Sequence, residues 1–205
     1  MESLDFYVFG SLAKSCLGEI VGASDRESQI RHATLCEGRR LGKLDWPIEI
    51  QFATAKWRKA QQLDVLSTSA PFSIISSRLA HFLKEKCPDC VELFPVAAIV
   101  ESKEEKECGF FALNTTQLKG VIDLNASDCV CLENRLNPSE KVIVAFRKII
   151  LVSGNANVPP LFREQSYVQF ELMTGALRAE CESAGFRMYF LPIETMARPT
   201  LKDIG

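Results

Sequence analysis

No apolar run in this chain approaches the roughly 20 residues that a membrane-spanning helix requires. The start, from Met1 to Phe9, opens acidic and places no basic stretch before a long apolar one. No signal peptide is read there, and the expected location is the cytoplasm. Lysine and arginine are scattered, the formal net charge is −2, and no basic cluster is interleaved with aromatic side chains. Nucleic acid and anionic membrane surfaces are therefore not expected partners. Tyrosine and tryptophan number three and two against thirteen phenylalanines, which assigns the aromatic mass mainly to packing. Glycine-rich phosphate loops are missing, as are the H-E-x-x-H and G-x-S-x-G patterns. The two histidines, His32 and His81, lie in no recognised catalytic context. No catalytic, cofactor-binding or metal-ligating residue is assigned. The expectation is a protein that is not an enzyme and carries no cofactor.

What the chain has is core material. Of its 205 residues 47% are apolar and 24% charged, enough for one globular domain spanning 1–205. Eight cysteines stand at positions 16, 36, 87, 90, 108, 129, 131 and 181. A domain of this length needs no staples, and a non-secreted chain keeps its thiols reduced, so most are read as small buried hydrophobes. Cys87-Pro-Asp-Cys90 could also be a thiol–disulfide site or half of a zinc site. The redox site wants its first cysteine at a helix N-terminus, whereas Cys87 falls at the C-terminal end of a predicted helix. Zinc would need Cys129 and Cys131, or Cys108, to complete four ligands. Residues two apart on a strand sit ~6.6 Å apart, wide for two thiolates on one ion.

Along the chain, Phe6 to Phe9 reads as an edge strand and Asp25 to Arg40 as a surface excursion. Ile48 to Phe52 alternates apolar and polar residues, the mark of a half-buried strand. Ser76 or Ser77 caps a helix with Leu79, Ala80 and Leu83 on one face, ended by Pro88. Val91 to Val100 is a strand bent at Pro95. The acidic run Glu101 to Glu107 is a solvated turn before a returning strand at Gly109 to Leu113. Short strands follow at Gly120 to Leu124, Val130 to Leu132 and Leu161 to Arg163, with a central strand within Val142 to Val152 that an interruption around Arg147 and Lys148 could divide. Thr174 caps a second helix over 173–184, closed by Gly185, and Phe186 to Phe190 alternates as a strand. The tail from Thr195 reads as frayed. The fold class that emerges is α+β, mostly antiparallel sheet with two principal helices near 76–87 and 173–184.

An internal echo links the two helices. Phe72, Ile75, Leu79 and Leu83 correspond to Phe170, Met173, Leu177 and Cys181, and each helix leads to an apolar–Pro–apolar step. Coincidence and duplication both remain open. As candidate partner-binding residues the acidic run offers Glu101, Glu104, Glu105 and Glu107, which could meet a basic surface. Trp46 and Trp57 could anchor an interface, or belong to core or rim.

From Asp64 to Ile193, about two-thirds of the chain, the sequence resembles a family of bacterial immunity proteins encoded beside toxins of polymorphic or contact-delivered systems (the immunity protein family eleven type). The resembling elements are Leu63 to Leu66, Pro71 to Leu79 opening a helix, Val91 to Val96, Phe110 to Asn114, Val121 to Ser127, Ile149 to Leu151, and a final helix leading to Phe190 through Ile193. Residues 1–60, which fit least, could form an N-terminal sub-lobe beside a 64–193 core. The resemblance implies a non-enzymatic cytoplasmic protein that protects its producer by binding a cognate toxin protein; it supplies no contact residues. The alternatives are a small hydrolase or thiol enzyme with a site assembled from distant segments, and a zinc-stabilised adaptor.

Overall fold

The computed structural model describes residues 5–9, 22–24, 33–45, 47–101, 103–105, 108–134, 141–154, 157–188 and 190–197, with the backbone alone at Glu104 and Glu105. The chain begins with strand β1 (Phe6–Phe9), a 3-10 turn (Ala33–Cys36), β2 (Ile48–Phe52) and helix α1 (Thr54–Ala60). Next come β3 (Val65–Leu66), β4 (Ser73–Ser76), α2 (Ser77–Lys86), β5 (Val91–Val100), β6 (Lys103–Glu105), β7 (Phe110–Thr115) and β8 (Leu118–Lys119). An antiparallel ribbon, β9 (Asp128–Glu133) and β10 (Lys141–Lys148), leads to β11 (Leu161–Glu164), β12 (Glu171–Thr174), α3 (Gly175–Ser183), β13 (Leu191–Pro192) and a closing 3-10 turn (Ile193–Met196). The fold is α+β, and the two helices read from the sequence are α2 and α3.

The echo in the sequence extends into topology. Ser76 accepts from the Leu79 N–H at 3.2 Å, and Thr174 accepts from the Leu177 N–H at 3.4 Å. Each hydroxyl satisfies a donor that the first helical turn leaves free. One sheet runs β3-β4-β7-β5 with β2 outside β5, and the other runs β11-β12-β1-β13 with β8 outside β11. All the neighbours within each of these four-strand runs are antiparallel. Each helix follows the second strand of its run, and β7 and β1 hold equivalent places. The first unit is continuous in sequence. The second borrows β1 from the far end of the chain, so Phe6–Phe9 is an interior strand rather than the expected edge, with Val8 and Phe9 fully buried.

Contacts between the units are reciprocal. Ser73 and Glu171, equivalent residues 98 apart, meet through a 2.5 Å bond from the serine hydroxyl to the carboxylate. The loop after α2 reaches the start of β11, where the Leu161 N–H donates to Cys90 Sγ. The loop after α3 reaches the residue before β3, where the Arg187 N–H donates to Asp64 at 2.7 Å. Between them α2 and α3 enclose a shared apolar cluster of Ile75, Leu79, Leu83, Met173, Leu177 and Cys181. The Lys86–Glu180 pair, 2.6 Å apart, bridges the two helices at the surface.

Other local readings are refined by hydrogen bonding. Gly185 takes φ +69°, its N–H bonds to Glu182 O, and the Phe186 N–H bonds to Cys181 O, the double closure of a Schellman motif. Phe186 to Met188 is irregular rather than a strand, because the Arg187 backbone is held by Asp64 on both its N–H and its carbonyl. Tyr189 lies outside the described residues. Pro95 is where β5 changes partners: 91–95 pairs with β7, while 96–100 pairs in parallel with β2. Part of the acidic run is strand, since β6 pairs with the end of β5, while Glu101, at φ +48°, is in a turn. The described residues before 61 divide between the sheets. β1 lies in the second, whereas Leu35, Ile48, Ile50, Phe52 and Trp57 share a core with Ile74, Phe110 and Ala112 of the first.

Candidate interaction surface

The segment 142–152 is interrupted after Lys148, as its charges at Arg147 and Lys148 led one to expect, but its strand β10 is not central and pairs with β9 alone. Lys141 faces Glu133, Val142 faces Leu132 and Ile143 faces Cys131; a bulge at Val144 shifts the register before Ala145 meets Val130. The ribbon is fastened to the body through Phe146, which is buried, stacks on Phe170 at 5.8 Å and meets Tyr167 edge-on at 5.6 Å. At its base, the Ser127 hydroxyl donates to Ile150 O and accepts from the Ile150 N–H.

Ile143 and Cys129 also pack on the body, while other apolar side chains of the ribbon are largely exposed. Leu132 is 60% exposed, Val142 48% and Val144 40%, on a sheet of two strands. The ribbon's charges answer one another, with Lys141 opposite Glu133 and Arg147 bonded to Asp128 at 3.2 Å. Cross-strand Leu132 and Val142 share one face, so the exposed apolar groups sit together. Beyond the Tyr167 hydroxyl, which reaches Val144 O at 3.3 Å, neither long edge is paired to another strand among the described residues. The sequence held the clue in its charges: Asp128, Glu133, Lys141, Arg147 and Lys148 are ill-suited to a central strand.

Of the partner-binding residues chosen from the sequence, Trp57 and Glu101 have described side chains. Trp57 is a core residue, its ring 5.0 Å from Phe52 and 5.9 Å from Phe110, so the anchor role offered for it gives way to packing. Trp46, Glu107 and His32 lie outside the described residues, as do the side chains of Glu104 and Glu105. Glu101 is exposed and accepts from the Thr54 hydroxyl at 2.6 Å. His81 is exposed on α2, with Nδ1 2.7 Å from Ser77 O.

In two of the clefts the carboxylates are already engaged in hydrogen bonds. An open cleft of about 390 Å³ is lined by Asp64, Ser76, Arg78, Arg187 and the two glutamines of the α1–β3 link. Asp64 Oδ1 accepts from the Ser76 hydroxyl and Arg78 Nε, and Oδ2 accepts from the second Arg78 nitrogen and the Arg187 N–H. Burial alone would raise this carboxyl's pKa. The hydrogen bonds from Arg78, Ser76 and the Arg187 backbone outweigh it and hold the group below the usual carboxylate range. In the cleft beside α2, Glu92 accepts from the N–H groups of Leu41 and Gly42 and from Asn114, and is likewise held low against its burial.

Glu171 is a charged group enclosed within the fold, 3% exposed. It receives Ser73, Thr115 and Arg163 between the sheets, where Arg163 is 2% exposed. Nothing in the sequence marked Arg163 beyond its expected strand, and Glu171 was not marked at all. All seven described cysteines are free thiols, and no group of three or more His, Cys, Asp or Glu residues among the described residues is placed to hold a metal ion. No helix among the described residues is long and apolar enough to cross a membrane. No family model matches the chain, and no curated protein matches it.

Proposed function

We propose that the protein is an immunity protein that binds and neutralises a cognate bacterial toxin by protein–protein contact, with the β9–β10 ribbon as a principal contact element. The supporting observation is the exposure of the cross-strand pair Leu132 and Val142, and of Val144, on a two-stranded ribbon. Burying such a side chain is worth about 1.5–3 kcal/mol, which this ribbon forgoes in the free protein and a partner would recover. Its free edges also favour recognition by strand addition. The resemblance carried by Asp64 to Ile193 supplies the class of partner. The acidic run from Glu101 to Glu107 adds charge that would suit a basic toxin.

The test is co-expression with the toxin domain encoded beside this gene, read by co-purification and by survival of the producing cell. A stable complex and rescue are expected. L132E/V142E should weaken the complex at least tenfold, since each charge must be desolvated at the interface, while leaving the thermal midpoint within a few degrees. No complex with any neighbouring gene product would refute the function. An unchanged affinity for L132E/V142E would refute the surface alone.

A further inference from the structure

We propose that Cys87 and Cys90 form a reversible disulfide, making the turn between α2 and β5 a redox-modification site whose co-reactant is a low-molecular-weight disulfide. This is independent of the toxin-binding reading and rests on the turn. The Cys90 N–H donates to Cys87 O at 2.9 Å, closing a four-residue β-turn whose second residue is Pro88, with its fixed φ. Such a turn brings the first and last Cα atoms within about 7 Å, overlapping the 4.4–6.8 Å range that a disulfide requires. The Cys87 S–H donates to Leu83 O at 3.2 Å, and the two thiols lie near enough to shift each other's acidity in opposite directions.

The surroundings divide the chemical roles. Cys87 sits at the C-terminal end of α2, where free carbonyls disfavour a thiolate, and its pKa is raised, first by its hydrogen bond to Cys90 and then by burial. The Cys87 hydrogen bond draws Cys90 down to about 7 against its burial, with help from the Leu161 N–H and the charge of Arg40. Cys181, next to Cys87 in the core, is pushed up to about 12 by burial, so it stays a thiol. Cys90 is therefore the attacking sulfur. Its thiolate displaces one thiolate from the small disulfide and forms a mixed disulfide. Cys87 then loses its proton and attacks Cys90 Sγ, expelling the second thiolate. Two protein thiols and one small disulfide become one protein disulfide and two small thiols.

Access is the controlling step. Cys87 and Cys90 are buried beneath exposed Pro88 and Asp89, and Asp89 O is held by Thr116, Gln117 and Arg40. Exchange must wait for this turn to open, so it should be slower than at exposed Cys131.

The experiment equilibrates the full chain with graded ratios of reduced to oxidised glutathione, quenches with acid, alkylates the free thiols and maps the peptides by mass. The expected result is an intramolecular Cys87–Cys90 bond whose population rises with oxidised glutathione and returns to zero on reduction. C181S and C131S should leave it unchanged. The proposal is overturned if both cysteines remain alkylatable at the most oxidising ratio, or if Cys87 pairs with Cys181. Appearance of the bond only in denaturant would also overturn it.

Discussion

At the scale of single residues, Asp64 joins three segments that are distant in sequence. It stands just before β3, accepts from the N-cap of α2, and holds the backbone of the loop after α3. D64A would leave the Arg187 N–H without its acceptor and Arg78 without its partner, at a cost of about 2–3 kcal/mol. In a chain of this length that lowers the thermal midpoint by roughly 4–12 °C, readable by calorimetry. The depressed pKa also sets a pH signature. A carboxylate held low in the fold contributes stability that is complete above its unfolded value near 3.9, and that stability is lost as pH falls through the folded value. D64N removes that titration, so its plot of thermal midpoint against pH should be flatter below about pH 4 than that of the wild type. A parallel acid limb would mean that Glu92 and other carboxylates dominate. Glu171 offers a different test because its partners are enclosed between the sheets. E171A strands Arg163 and should cost about 3–5 kcal/mol, whereas R163M/E171M, which removes both charges, should recover most of that loss.

At the scale of elements, the paired helix caps allow an internal comparison. T174A removes one cap bond and should cost about 1 kcal/mol. S76A removes the equivalent bond and also the hydroxyl that donates to Asp64, so it should cost about 2 kcal/mol. Equal losses in denaturant melts would show that the Asp64 contact contributes nothing. These helices were legible because caps, apolar spacing and stop signals agreed locally. α1 was not, since Ala53 provides no side-chain cap and only Trp57 and Ala60 mark a buried face. The ribbon was misplaced for a related reason. An apolar run from Val142 onward reads the same whether it lies in a sheet or stands out from one, and only its partners distinguish the two. The candidate surface was therefore hidden in a segment assigned to the core, while Trp57, offered as an anchor, proved to be packing.

At the scale of the whole molecule, the reciprocal contacts make each unit part of the other's support, and β1 is the joint where this matters most. Ser76 and Phe110 face each other across β4 and β7 much as Thr174 and Phe6 do across β12 and β1. In the first unit the corresponding strand follows the helix and β5. In the second it is supplied from the start of the chain, and its hydrogen bonds run to β12 on one side and β13 on the other. Deleting residues 1–9 should expose the edge of β12, uncover the cluster of Phe162, Phe170 and Leu172, and yield aggregated or unfolded material. Appending the same nine residues to the C-terminus of the deleted chain, through a glycine–serine linker of about 15 residues, restores the connectivity of the first unit. It spans roughly 20 Å on average. Such a permutant should recover solubility and a single cooperative melt, with slow hydrogen exchange returning at Leu172 to Thr174. If the deletion alone kept the wild-type melt, β1 would be a dispensable edge after all and the two units would not be equivalent. If the permutant failed while the deletion also failed, the linkage of β1 to the residues after it, rather than the strand, would be what the second sheet requires.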